Sequence, residues 1–469
     1  VRRSKITVFL ALVFGLLSVQ SIAQPVDTLQ LGEAAFLKQV FLYHPAMRSM
    51  QLDVAKAEAD VQSARAAFDP IWKTEYANKS FEGKPYYDYQ HTAVEWQLPP
   101  GVGVKVGGER NRGDFINPEL STPADGLAFA EIRLPIGDGL LRTPEQTRLQ
   151  QARLLGDRSL RDLESFQRDF ITYAAQVYWN WTAVDRELEL RIRISRLSYQ
   201  RYEQTVRRFE EGLATAMDTL EAYNSFIKRE TERLNTENMY QDWYRIVGTM
   251  VWNEDVFDEF RDGRVIPDSN WTSVPNERTL DVMGEGRSPL LHPALESLDL
   301  DRRIADLDFR LSRERIKPDI DLTAKAISTP NTINLSNNSA VVGISAKIPI
   351  ISRKERAAIQ KARIKQEQVD LKLSMKEREL MQKFDQFEQQ LRLTQEMLVI
   401  AEQAAQNSAR LLYLENRRLL FGESTIFLIN RRESSYLDAE LKLIDVRRKL
   451  RILQWKLYML TYSPDELLF

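Results

Sequence analysis

The feature that most constrains this chain is a duplication. His44-Pro45-Ala46 recurs as His292-Pro293-Ala294, an offset of 248 residues. At the same offset Ser49, Leu52, Asp53, Ala57, Asp60, Arg65 and Pro70 are matched by Ser297, Leu300, Asp301, Ala305, Asp308, Arg313 and Pro318. A repeat of this period in a chain of 469 residues means one architectural unit built twice. The fold therefore has to be a shape that two copies of one unit complete together.

Each block bounded by the prolines reads as one helix, since proline is favoured at the first helical position and also stops a helix. In the first copy Met47, Met50, Val54, Ala57, Val61, Ala64 and Phe68 step by threes and fours, the seam of a coiled coil. In the second, Leu295, Leu298, Ala305, Phe309 and Ile316 keep that register across residues 293–317. Alternating segments come next. Val94, Trp96 and Leu98 alternate with Glu95 and Gln97, and Val102, Val104 and Val106 with Gly103 and Lys105. In the second copy Ile320, Leu322, Ala324 and Ala326 alternate with Asp321, Thr323 and Lys325, and Val342, Ile344 and Ala346 with Gly343, Ser345 and Lys347. Period two with one apolar and one polar face predicts strands whose sides meet different surroundings. These hairpin regions cover 71–136, with two to four strands, and 319–350, with two.

A long helix is expected after each strand region, over 143–212 and 353–421. Thr143-Pro144 gives the first a cap and an N1 proline, and at 1.5 Å per residue each reaches ~100 Å. Shorter helices follow at 215–252 and 424–461. The two shorter helices of each copy nearly sum to the long one, so end to end they can lie beside it as a rod. The expected units are thus a first repeat at 24–252, a proline- and glycine-bearing linker or side segment at 253–291, and a second repeat at 292–469. The fold class is mainly α with a small β part.

Composition narrows the function. Sixty-five basic against 67 acidic side chains leave a net charge of −2, which removes the electrostatic reason to expect nucleic acid. The absence of cysteine excludes disulfides, thiolate metal sites and lipoprotein acylation. Three histidines leave little for catalysis, no hydrolase, zinc-protease or P-loop motif is present, and neither an enzyme activity nor a cofactor or metal is expected. Residues 1–23 read as a secretory signal peptide, with basic Arg2, Arg3 and Lys5, a largely apolar run from Ile6 to Val19, and small residues at Ser21 and Ala23.

Two-faced strands need a core or lipid, and lipid tolerates only closed barrels because an open sheet edge leaves backbone groups unpaired. Four to six strands fall short of the eight of the smallest one-chain barrels, so membrane strands here imply several chains sharing one barrel. At this point the chain resembles the TolC family of outer membrane factors. The likeness rests on the order helix, hairpin, long helix, helix given twice, on the His-Pro-Ala starts, on Leu134-Pro135-Ile136 and Ile348-Pro349-Ile350, on Gly212-Leu213-Ala214-Thr215 through Asp218, and on Phe421-Gly422-Glu423-Ser424-Thr425. The resemblance implies a homotrimer whose strands share a transmembrane β-barrel in outer-membrane lipid and whose coiled-coil helices form an α-barrel across the periplasm. It implies an exit duct for efflux or type I secretion, working with a periplasmic adaptor and an inner-membrane pump. The alternative is a periplasmic coiled-coil adaptor or scaffold without a pore.

The resemblance also implies a gate at the periplasmic tip, with turns at Gly212, Thr215, Gly422 and Thr425. Asp218 matches the family's linking aspartate, but Leu428 and Arg431 stand where the family carries an acidic ring, and Ser424 replaces its linking arginine. The expected closure pairs Asp218 and Glu221 from one repeat with Arg431 or Arg432 from the other. Three further features have plainer readings. His44 and His292 sit where helix caps do, Asp299, Asp301, Asp306 and Asp308 spread over several faces of a helix, and Trp72, Tyr76, Tyr86, Tyr87, Tyr89 and Trp96 suit an aromatic girdle.

Overall fold

The computed structural model describes residues 28–136, 142–268, 289–329 and 339–462; the signal-peptide stretch lies outside them. The element order is β1 (Leu29–Leu31), α1 (Glu33–Tyr43), α2 (Pro45–Arg65), β2 (Ile71–Phe81), β3 (Lys84–Leu98), β4 (Val102–Arg112), β5 (Leu127–Pro135), α3 (Pro144–Glu210) and α4 (Ala216–Met250). There follow α5 (Glu254–Arg261), β6 (Val265–Pro267), α6 (Pro293–Glu314), β7 (Asp319–Ser328), β8 (Ala340–Lys347), α7 (Arg353–Leu420) and α8 (Ile426–Thr461). Helix, strands, long helix and helix therefore occur twice, with four strands in the first copy and two in the second. No described helix is long and apolar enough to cross a membrane.

The repeated histidines are helix caps. His44 Nδ1 accepts from the Ala46 amide at 3.1 Å and His292 Nδ1 from the Ala294 amide at 3.2 Å, with proline next in line both times. Thr143 and Gln146 start α3 with a capping box. Along α2 the seam positions Met47, Met50, Val54, Ala57, Val61, Ala64 are the shielded ones, while the residues between them face solvent. In α7 the positions Leu380, Leu391, Thr394, Ala401 and Ala405 are buried on the same principle.

The long helices, 67 and 68 residues, are the spines. Helices α2 and α4 pack along opposite halves of α3, and α6 and α8 along α7; α3 also packs against α6 and α8, which joins the copies. The main core lies midway along α3, where Ile171, Tyr178, Trp179 and Trp181 meet Phe36, Leu37 and Val40 of α1, Val247 and Met250 of α4, and Trp455 and Met459 of α8. The segment expected as a linker contributes to it. Phe260 of α5 and Val265 of β6 are buried there, and β6 pairs in parallel with β1, Leu29 opposite Val265.

One carboxyl group ties this belt together. The indole Nε1 groups of Trp179 and Trp455, from opposite copies, both donate to Glu33 Oε1 at the start of α1. Burial pushes the Glu33 carboxyl up to about 8, against the pull of the two indoles and of Arg451. Away from the belt the copies are joined by polar contacts. Ser297 donates to Asp162 at 2.6 Å, and Arg158–Asp301 and Arg161–Glu296 ion pairs tie α3 to α6 at 3.1 and 2.8 Å. Asp308 takes Lys365 of α7 at 2.7 Å, and Asp299 and Asp306 pair with Arg303 and Arg310 of their own helix. The aspartates of α6 are thus spent on separate ion pairs within and between helices, and no group of side chains suited to a metal ion occurs among the described residues.

The His292 cap makes a pH prediction. Burial first, then Arg168, Lys376 and Lys383, hold its imidazole down to about 4 from 6.5. Only the neutral ring can accept the Ala294 N–H. The stabilisation is therefore complete above pH 6.5 and is lost as pH falls through the folded value, an effect of up to about 3 kcal/mol per chain. Thermal melts at pH 7 and pH 4.5 should show a larger loss for the wild type than for His292→Asn, whose amide caps without titrating. Equal losses would rule this out.

Candidate functional site: the two-faced sheet and the helix tips

Strands β2 to β8, with β6 apart, form one antiparallel sheet in the order β2-β3-β4-β5-β7-β8, so β2 and β8 are its open edges. The register separates the two faces. One complete row reads Trp72, Val94, Val106, Ala130, Ala326 and Ala340. The next row on this face is Trp96, Val104, Ile132, Ala324 and Val342, and Leu134, Leu322 and Ile344 follow. Charges on this face come only at the end far from the helices, at Asp88, Arg110 and Arg112.

The opposite face carries a row of Ile71, Glu95, Lys105, Glu131, Lys325 and Val341. Several of its charges are matched by ion pairs. Glu95 takes Lys73 at 2.5 Å and Lys105 at 3.2 Å, Glu109 takes Lys325 at 3.3 Å, and Arg133 lies 4.0 Å from Asp321. Exposure runs opposite to the usual rule for a soluble sheet. Trp72, Val342 and Ile344 are 76, 73 and 73% exposed. The side chains of Glu95, Glu109 and Lys325 keep only 26, 19 and 22%. The sheet curls so that its charged side is concave.

A glycine makes that curl possible. A Cβ on Gly107 would stand 2.2 Å from the Thr92 carbonyl oxygen and 2.7 Å from Ala93 Cα, both backbone atoms that cannot give way. The aromatic residues divide between the faces. Trp72, Tyr76 and Trp96 lie on the apolar side, as a girdle requires, and Trp96 donates to the Phe68 carbonyl at 2.8 Å, whereas the Tyr86 ring lies against Lys79 at a register shift. Tyr87 and Tyr89, expected in the girdle, share the register of Glu95 and lie on the charged face instead.

At the other end of the rods the same turn is built twice. Gly212 and Gly422 both have φ of +73°, a conformation that glycine alone adopts at no cost. Leu213 N donates to the Arg208 carbonyl at 2.7 Å, and Glu423 N to the Arg418 carbonyl at 2.9 Å. Thr215 then caps α4 and Thr425 caps α8. Asp218 completes the first cap, accepting from Thr215 N at 2.9 Å and Thr215 Oγ1 at 2.7 Å. The Thr215 hydroxyl, then its amide, hold the Asp218 carboxyl below the usual range, with Arg208 adding to this.

Within one chain the expected gate pairs do not form. Asp218 is turned to its own cap, and Arg432 approaches Glu415 at 3.7 Å. The Glu415 carboxyl also accepts from Ser424 Oγ at 2.6 Å and has Arg418 at 3.8 Å, so Ser424 holds its own tip. Arg431 is exposed, Leu428 is 36% exposed, and Glu221 is half-buried. No described residue of the chain pairs Asp218 or Glu221 with Arg431 or Arg432.

A stronger polar cluster sits farther up the rods, where no local signal marked it. Glu433 of α8, 1% exposed, is gripped by Arg201 of α3 at 2.6 Å and Arg229 of α4 at 3.3 Å. Asn430 accepts from Arg201 at 3.0 Å and from Ser225 Oγ at 3.2 Å, and Ser434 accepts from Arg229 at 2.7 Å. Eleven residues beyond Gly422, this clamp lies roughly 16 Å from the tip and fixes the second copy's last helix onto both helices of the first.

Residues 290–461 match the family model described as outer membrane efflux protein. No curated protein sequence matches the chain. Among solved structures the outer membrane protein VceC of Vibrio cholerae superposes with a TM-score of 0.67 at 13% identity, over 92% of this chain and 96% of that one. The Campylobacter jejuni CmeC outer membrane channel gives 0.66 at 10%, over 92% and 85%. The Neisseria gonorrhoeae MtrE outer membrane channel, in its open state, gives 0.64 at 12%, over 92% and 88%. Residues 290–461 thus resemble the outer membrane efflux protein family, and the fold of the chain is that of the outer membrane channels CmeC and MtrE.

Proposed function

We propose that this protein is an outer-membrane exit duct, assembled from three copies, through which an inner-membrane pump and a periplasmic adaptor discharge cargo. The observation that carries the reading is the inverted sheet, with apolar residues outermost and paired charges on the concave side. Lipid on one side and water on the other satisfies both faces. Two open edges cannot remain bare in lipid, because each leaves a row of backbone groups unpaired. Three copies close the ring with about eighteen strands, an even number in the range that leaves an aqueous channel. The helices, leaving the sheet at one end, then extend into the periplasm.

At the tip, closure in this reading falls to contacts between copies. Leu428 and Arg431 are the exposed groups available for them, while Asp218, Glu415 and Arg432 maintain the shape of each turn. The Glu433 clamp holds α8 against the first repeat and so keeps the tip closed.

The detergent-solubilised protein should scatter light as three chains, and unheated gel samples should keep an oligomer that heating dissolves. A monomer would overturn the reading. For the strands, Ile344→Arg should cost about 2–4 kcal/mol near the bilayer midplane and impair assembly. Lys347→Ala should insert normally, and the reverse pattern would mean that the faces are exchanged. For the clamp, Glu433→Gln leaves Arg201 and Arg229 facing a neutral partner, and breaking such a buried pair typically costs about 3–5 kcal/mol. Planar-bilayer recordings should show this variant open more often than the wild type. Unchanged closure in a variant that melts like the wild type would remove the clamp from the gate.

A further inference from the structure

The concave face carries rings as well as charges. On β3, Tyr87, Tyr89 and His91 occupy successive positions of that face, about 7 Å apart, leading inward from the end far from the helices. Tyr89 and His91 stack with centroids 6.4 Å apart and planes within 7°. His91 stacks in turn on Phe129 of β5 at 5.2 Å and 18°. Between these strands lies β4, and its residue opposite both Ala93 and Phe129 is Gly107. The missing side chain lets rings from β3 and β5 meet across the intervening strand.

Part of this arrangement is structural. Phe129 is 4% exposed, roofed by His91 and by the Lys325 ammonium 4.3 Å from its centroid, and it fills the space over Gly107. Support of the sheet does not account for the other rings. Tyr87 and Tyr89 stay half-exposed on a face that otherwise carries paired ions. Charges of both signs border the rings in register: His91 lies between Glu75 and Glu109 in one row, Glu109 is engaged by Lys325, and Lys79 stands opposite Tyr87. His91 Nδ1 is buried without a hydrogen bond, 3.9 Å from the Glu109 carboxylate.

We infer that Tyr87, Tyr89 and His91 form an aromatic track along the lumen wall, which takes the planar aromatic cations among the duct's cargo. A flat cation gains from the negative face of each ring and from the carboxylates beside it. Ring faces spaced at the strand repeat allow it to pass from one to the next without full rehydration. A compact cation without rings gains only the carboxylates, so the track discriminates by shape at equal charge. The inference rests on the exit-duct reading, which places this face in the lumen.

The test uses the full-length protein in planar bilayers, with an acridinium dye and tetraethylammonium as probes. The wild type should show current block by the dye at concentrations where tetraethylammonium has no effect. Tyr89→Ala and Tyr87→Ala should each weaken dye block about fivefold and leave potassium conductance in place. Tyr89→Phe, which keeps the ring, should restore block. Phe129→Leu, beneath the track, controls for loss of sheet support and should leave dye block near the wild-type value. Equal block by both probes, or dye block indifferent to Tyr87 and Tyr89, would overturn the track while leaving the duct intact. A protein that forms no channel would overturn the duct reading itself.

Discussion

An antiparallel sheet with an apolar convex face and two unpaired edges cannot exist alone in a membrane. Every other feature of the chain answers to that constraint. In the exit-duct reading the edges are closed by strands from further copies, since all six strands of the large sheet already follow one another in a single line. Copies that share a barrel must present their strands at the same height and tilt. The structure supplies this alignment with two long helices that enter and leave the sheet as rigid extensions of it. The belt around Glu33 locks the first long helix, α3, to the last helix of the second copy, α8, and to α1. Stability and assembly thus depend on one another, with the apolar face as the common cause.

The duplication explains both what is equivalent in the two copies and what is not. His44 and His292 make the same cap, and Gly212 and Gly422 make the same turn at the same φ. Such features are local, set by a few residues, and survive separate divergence of the copies. The strands differ in number, four against two, and so do the tips, where Asp218 completes a capping box that Leu428 cannot provide in the second copy. A second copy lacking that carboxylate offers a more apolar tip.

Much of the fold was legible in the sequence because coiled-coil seams and strand alternation are periodic signals. Met47 through Ala64 and Leu380 through Ala405 face inward as their spacing requires. Strand β2 was harder to read, since Thr74 and Asn78 leave its outward positions short of aliphatic residues. Tyr87 and Tyr89 were misplaced because composition does not reveal the side of a strand, which their alternation with Glu95 and the pairing with β2 fix. The gate pairing failed within one chain for a chemical reason: Asp218 has a nearer donor in Thr215, three residues away. The Glu433 clamp and the Glu33 belt were illegible because their partners lie more than 140 residues apart and only tertiary packing joins them.

The position of the belt has a mechanical consequence. It grips α3 near its middle, at Ile171 to Trp181, and leaves about thirty residues of stiff helix, roughly 45 Å, between that grip and the tip. Such a rod is a lever with its fulcrum at the belt. A tilt of about 5° there, small enough to be absorbed by side chains sliding over one another, displaces the far end by roughly 4 Å. A partner that presses on the rod anywhere along this arm therefore trades small force over a long stroke near the tip for large force over a short stroke near the fulcrum. The clamp at Glu433, close to the free end, sits where the least force is needed to hold the lever still.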